Sequence, residues 1–159
     1  MSANITIERG TTDDAQELAE MVGELLAEIM SVIGTQTFHF DRDETIGRLK
    51  DCLVLEKYFV FIARNNGENG IGFFALHESD ALYAEGSFGT IPELYVRPEY
   101  RSKNIGHSLV AQAKSLGTSR GWKRLEVTTP PLPQFDKTLM FYEREGFSVT
   151  GGRKLKMPL

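Results

Sequence analysis

Glu93-Leu-Tyr-Val-Arg-Pro-Glu-Tyr-Arg-Ser-Lys-Asn-Ile-Gly106 decides the reading of this chain. Leu94 and Val96 alternate with Glu93, Tyr95 and Arg97, which is the period of a strand. Pro98 ends it, because proline fixes φ and has no N–H to give a ladder. Arg101 to Asn104 is a short polar loop. Beyond it Ile105, Leu109, Val110, Ala113 and Leu116 recur at helical spacing. Gly106, without a side chain, lets the backbone pass close to a neighbour. A loop that feeds a helix N-terminus makes an anion site, since first-turn N–H groups lack intrahelical acceptors and the dipole points its positive end there. Arg97, Arg101 and Lys103 crowd cations into this segment of a chain whose net charge is −4. A phosphate is the expected guest.

Upstream, Asn4 to Arg9 alternates like a half-buried strand, with Ile5 and Ile7 inward. Thr11-Thr-Asp-Asp14 opens a helix whose apolar face carries Leu18, Val22, Leu25, Leu26 and Ile29, and Gly34 closes it. Asp41 with Glu44 forms a capping-box pattern before a second helix with Ile46, Leu49 and Leu53. Tyr58 to Ala63 reads as a central strand, Asn65-Asn-Gly67 as a hairpin turn, and Ile71 to Leu76 as the returning strand. Glu78 to Gly86 is polar enough for a longer turn before a strand over Ser87 to Val96. After the loop helix, Arg124 to Thr128 alternates as another strand. A strand–helix–strand unit of this length makes its two strands parallel, with a right-handed crossover. Phe135 to Glu145 is a short helix, and Phe147 to Val149 with Lys154 to Met157 a final pair of short strands.

Leu139-Met-Phe-Tyr-Glu-Arg-Glu-Gly-Phe147 follows the loop by a helix and a strand. Arg101-Ser-Lys-Asn-Ile-Gly106 resembles the Arg/Gln-x-x-Gly-x-Gly/Ala pyrophosphate loop of the GNAT N-acetyltransferase superfamily. Phe141-Tyr142 with Gly146-Phe147 is similar to that family's C-terminal helix signature. Asn104 stands where the first loop glycine is usual, and asparagine is the non-glycine residue that best tolerates left-handed angles. Phe135 and Thr138 stand where Asn and Ala often occur. The resemblance spans residues 87 to 150.

It implies one α/β (α+β) domain over 1–159: a mixed, mostly antiparallel sheet of about six or seven strands, flanked by about four helices, with a splayed parallel pair at the cofactor site. It implies acetyl-CoA as cosubstrate and a primary amine, on a small molecule or a peptide, as acceptor. Main-chain groups of Leu94, Tyr95 and Val96 would hold pantetheine. Arg101, Ser102, Lys103, Asn104, Ile105, Gly106 and His107 would hold the pyrophosphate. Tyr142 would protonate the leaving sulfur, since a phenol near its ordinary pKa of about 10 keeps its proton at neutral pH. Glu93 is the candidate general base, with Glu85 a weaker one, and an amine that loses its proton to solvent needs neither. The first two helices and their joining loop flank the acceptor site in this family, so Phe38 and Phe40 are either substrate wall or packing beneath that loop. A noncatalytic CoA-binding or sensing domain on the same scaffold is the rival, because fold does not fix function.

Composition sets the outer limits. With 159 residues, 41% hydrophobic and 25% charged, the chain suits an ordinary globular domain. A net charge of −4 argues against a general nucleic-acid surface and would favour cationic amines such as polyamines, aminoglycosides or lysine-bearing peptides. Cys52 is the single cysteine, which excludes an internal disulfide; lying beside Leu53 and Val54, it reads as a structural thiol. His39, His77 and His107 lie far apart, with no clustered acids or cysteines to make a metal site. No basic-then-apolar leader or long apolar run is present, so the expectation is a cytoplasmic protein without a membrane partner. Neither a Gly-x-Ser-x-Gly elbow nor a Walker loop is present. A homodimer is compatible with the resemblance.

Overall fold

The computed structural model describes residues 4–159. In chain order they form β1 (Ile5–Arg9), α1 (Ala15–Ile33), α2 (Arg42–Leu53), β2 (Tyr58–Asn65), β3 (Asn69–Ala81), β4 (Gly86–Ile91), β5 (Leu94–Val96), α3 (Ile105–Ser119), β6 (Leu125–Val127) and α4 (Asp136–Arg144). The six strands make one mixed sheet, ordered β1-β2-β3-β4-β6, with β5 also on β3. β4 and β6 are parallel, Gly89–Ile91 lying beside Leu125–Val127, and the other pairings are antiparallel.

Local chemistry accounts for the boundaries. Asn66 and Gly67 both take positive φ, 54° and 73°, as the tight β2–β3 hairpin requires. Gly34 takes φ 74° and donates its N–H to the Met30 carbonyl, ending α1. The Asp41 carboxylate accepts the Glu44 N–H at 2.9 Å, opening α2. Both sheet faces are covered, so the central strands are apolar on both sides. Phe73 and Ala75 of β3 pack with Leu18, Met21 and Leu49 under α1 and α2. Phe74 and Leu76 pack with Ile105, Leu109 and Trp122 under α3. No helix of the described residues is long and apolar enough to cross a membrane.

Three expectations are corrected. The strand expected over Ser87–Val96 is two, interrupted at Pro92-Glu93, because Pro92 has no N–H with which to continue the ladder. The turn expected over Glu78–Gly86 shrinks to Leu82–Glu85, and β3 runs on to Ala81. Its acids are satisfied there: Glu78 accepts from Arg120 and the Trp122 indole, and Asp80 from Lys57 and Ser87. The closing pair of strands does not form. Residues 148–159 make no strand, and their apolar side chains find no surface of this chain to cover.

Candidate active site

β5 sits beside β3 instead of following β4 along β6, and this departure creates the site. Ala75 N–H donates to the Glu93 carbonyl at 2.9 Å, and Arg97 N–H to the Ile71 carbonyl at 2.8 Å. Glu93, Tyr95 and Arg97 thus commit their main-chain groups to β3. By antiparallel alternation Leu94 and Val96 turn theirs the opposite way. That side holds a cavity of about 620 Å³. Its walls come from α1, from Ile91 to Val96, from the loop before α3, from Val127 to Pro130, and from α4. Glu93, Leu94, Tyr95, Val96, Arg101, Ser102, Asn104, Ile105, Gly106, His107 and Tyr142 all line it. Lys103 does not: its ammonium lies 5.5 Å from the centre of the Tyr100 ring.

The loop reaches α3 through two left-handed residues, Ser102 and Asn104, both at φ 63°. Asn104 therefore adopts the backbone that a glycine would supply at no cost. Ser108 N–H bonds to the Asn104 carbonyl, while the N–H groups of Ile105, Gly106 and His107 find no protein acceptor among the described residues. Free first-turn N–H groups of this kind are suited to an anion. The close approach at Gly106 is to α4: an added Cβ would lie 3.0 Å from the Phe141 ring.

The three cations of the segment part company. Arg97 turns toward α1, gripping Glu24 through Nε and a second nitrogen at 3.1 and 3.0 Å and donating to the Gly70 carbonyl, so it is a strut and not a phosphate ligand. Strand alternation explains this, since Tyr95, two residues back, donates its hydroxyl to the same Glu24. Arg101 faces the cavity, with Nε on the Val96 carbonyl at 2.8 Å and its fork on the Glu28 carboxylate. His107 Nδ1 lies 2.8 Å from the Glu145 carboxylate, which makes Glu145 an acid at the cavity wall.

Tyr142 is 5% exposed, its ring edge-on to Phe141 and Phe147. Its hydroxyl has no hydrogen-bond partner among the described residues, yet it is not sealed from solvent, so it opens on the cavity. Burial pushes its phenol well above the ordinary value, which keeps the proton in place. Glu93 is half-buried, without a salt-bridge partner among the described residues, and burial raises its carboxyl toward the range of a useful base. Its charge is felt by Tyr58 and Cys52, whose own groups are pushed up chiefly by burial. The Cys52 thiol thereby stays protonated, as a structural cysteine does.

Phe40 packs on α1, where a Cβ at Gly23 would meet its ring at 2.7 Å, and neither it nor Phe38 reaches the cavity. Phe40 is packing, while Phe38 lies exposed away from the cavity. Glu28 and Glu145 were not foreseen. The stripe Glu20, Glu24 and Glu28 on one face of α1 was the available signal for the first, and nothing in the spacing announced the second.

Residues 56–149 match the family model described as acetyltransferase (GNAT) domain. No curated protein matches the chain in sequence. Among solved structures, an aminoglycoside N-acetyltransferase in complex with CoA is similar at TM-score 0.81, with 16% identity over 99% of this chain and 97% of that one. A transcriptional regulator from Bacillus halodurans C-125 is similar at TM-score 0.79, with 24% identity over 98% of this chain and 100% of that one. A ribosomal-protein-alanine N-acetyltransferase from Brucella melitensis biovar Abortus 2308 is similar at TM-score 0.74, with 18% identity over 97% of this chain and 99% of that one.

Proposed function

Because the chain belongs to the acetyltransferase (GNAT) domain family, we propose that it transfers an acetyl group from acetyl-CoA to a primary amine by direct attack on the thioester. One observation carries the reading: the main-chain groups of Leu94, free N–H groups at the α3 start and a Tyr142 hydroxyl without a partner among the described residues all meet one cavity. That donor set fits the cosubstrate along its length. The α3 start and Arg101 suit a pyrophosphate, and the turned-away groups of Leu94 with the Val96 N–H suit the amides of a pantetheine arm.

The chemistry follows from the same groups. A carbon–nitrogen bond forms and the carbon–sulfur bond breaks. Main-chain N–H of β5 stabilises the oxygen on which charge develops. Glu93, made more basic by burial, takes the proton that the amine loses. Tyr142 gives a proton to the departing sulfur and regains one from solvent. Titration with acetyl-CoA, alone and with Arg101→Ala, tests the donor half. Micromolar binding weakened about tenfold by the substitution is expected, as for loss of one charge-assisted hydrogen-bond set. Turnover on a panel of aminoglycosides, polyamines and lysine- or alanine-terminated peptides tests the acceptor half. Binding without turnover on any amine would instead identify a CoA-sensing domain.

A further inference from the structure

β5 sets the two ends of the cavity: the loop before α3 follows it, and Glu93 precedes it. At the Glu93 end the walls are apolar. Ile91 lies beside Val127 in the parallel pair, so β4 and β6 end side by side. One chain continues through Pro92 and Glu93, the other through Pro130 to Phe135. Ile91, Pro92, Pro130 and Phe135 all line the cavity, and α1 adds Leu25 and Ile29.

Most carboxylates of the cavity are already taken. Glu28 holds Arg101 at 2.8 Å, and Glu145 lies 2.8 Å from His107. Among the described residues this leaves one lining carboxylate without an ion-pair partner, Glu93, against two such cations on α4, Lys137 and Arg144. The net charge of −4 therefore does not carry over to the cavity, whose local field gives a polycation no advantage. Further ammonium groups of such a guest would lose hydration against the apolar walls and find no acid there.

A single ammonium suits Glu93. Proton transfer to that carboxylate leaves both partners uncharged, which apolar surroundings favour, and it leaves the amine able to attack. A guest with more cations stays charged after the same transfer. Apolar walls around one placed polar group hold an apolar body oriented by its polar end.

We propose that the acceptor is a primary amine with a single positive charge on an apolar body, aromatic or branched aliphatic. Glu93 takes the ammonium, and Ile91, Pro92, Pro130 and Phe135 hold the body. This rests on the acetyl-transfer reading and names the acceptor within it.

Release of CoA thiol at saturating acetyl-CoA is compared for phenethylamine, isopentylamine, spermidine and kanamycin. For the two monoamines kcat/KM should be at least about tenfold higher, the lower end of what a matched apolar pocket gives. Equal or better use of spermidine or kanamycin overturns the proposal and leaves acetyl transfer standing. Turnover of no amine, with acetyl-CoA bound in calorimetry, overturns acetyl transfer and the proposal with it. Phe135→Asp supplies the matching perturbation. Phe135 is the N-cap residue of α4, where aspartate is preferred, so the variant should keep its circular dichroism. The added carboxylate should shift the phenethylamine-to-spermidine ratio of kcat/KM at least about tenfold toward spermidine. A folded variant whose ratio is unchanged overturns the proposal.

Discussion

Tyr142→Phe separates catalysis from stability because the hydroxyl has no partner to lose. The ring is 5% exposed and packed edge-on against Phe141 and Phe147, contacts that phenylalanine retains. Removing a hydrogen-bonded hydroxyl commonly costs about 1 kcal/mol, but among the described residues this one has no such bond. The hydroxyl opens on the cavity, where water can satisfy it, so stability should change by no more than about 1 kcal/mol. In a domain of this size that is at most about 4 °C in Tm. Turnover should move the other way. Loss of a general acid removes at least about 100-fold from kcat, or about 2.7 kcal/mol of barrier, with little change in acetyl-CoA affinity. Release of CoA thiol followed by a chromogenic disulfide, beside calorimetric binding and thermal melting, measures all three. Unchanged turnover refutes the acid role. Lost turnover accompanied by a Tm fall of several degrees refutes the reading of the hydroxyl as structurally idle.

Other outcomes follow from neighbouring contacts. Burial raises the Glu93 carboxyl, so between its unfolded value of about 4.3 and its higher folded value the native state holds more protons, and stability falls as pH rises through that window. Glu93→Gln should therefore raise Tm at neutral pH, leave it unaltered below about pH 4, and abolish the acid limb of the kcat/KM profile. Gly89→Ala would place a Cβ 2.5 Å from the Trp122 ring and 2.8 Å from Leu125, and overpacking of that kind costs about 1–3 kcal/mol in a denaturant melt. Glu28→Gln frees Arg101 from a partly exposed ion pair worth no more than about 1 kcal/mol, so CoA should bind up to about fivefold more tightly by calorimetry.

The elements legible in the sequence were those with local causes. Pro98, the left-handed tolerance of Asn104 and the helical spacing after Ile105 located the strand, loop and helix around the cavity. Pro92 was equally visible, yet its effect depends on β3 offering two separate stretches to β4 and β5, which is a tertiary fact. Sequence groups Arg97 with the loop cations because charge along a segment says nothing about which face a helix from about 70 residues earlier will cover. Glu24 on α1 decides that, and His107 meets Glu145 for a similar long-range reason. The unpaired segment after Gly152 has strand periodicity, but periodicity does not name the strand's neighbour.

β3 holds β4 with one half and β5 with the other, as a single strand of 13 residues, about 43 Å long. The width of the cleft is therefore written into one continuous strand, buried on both faces from Gly70 to Leu76, not into a hinge. Closure around a guest falls to the helices that wall it. Slow motion should concentrate in α1 and α4 and in the loop between them and the sheet, while the main-chain amides of β3 stay among the last to exchange with solvent.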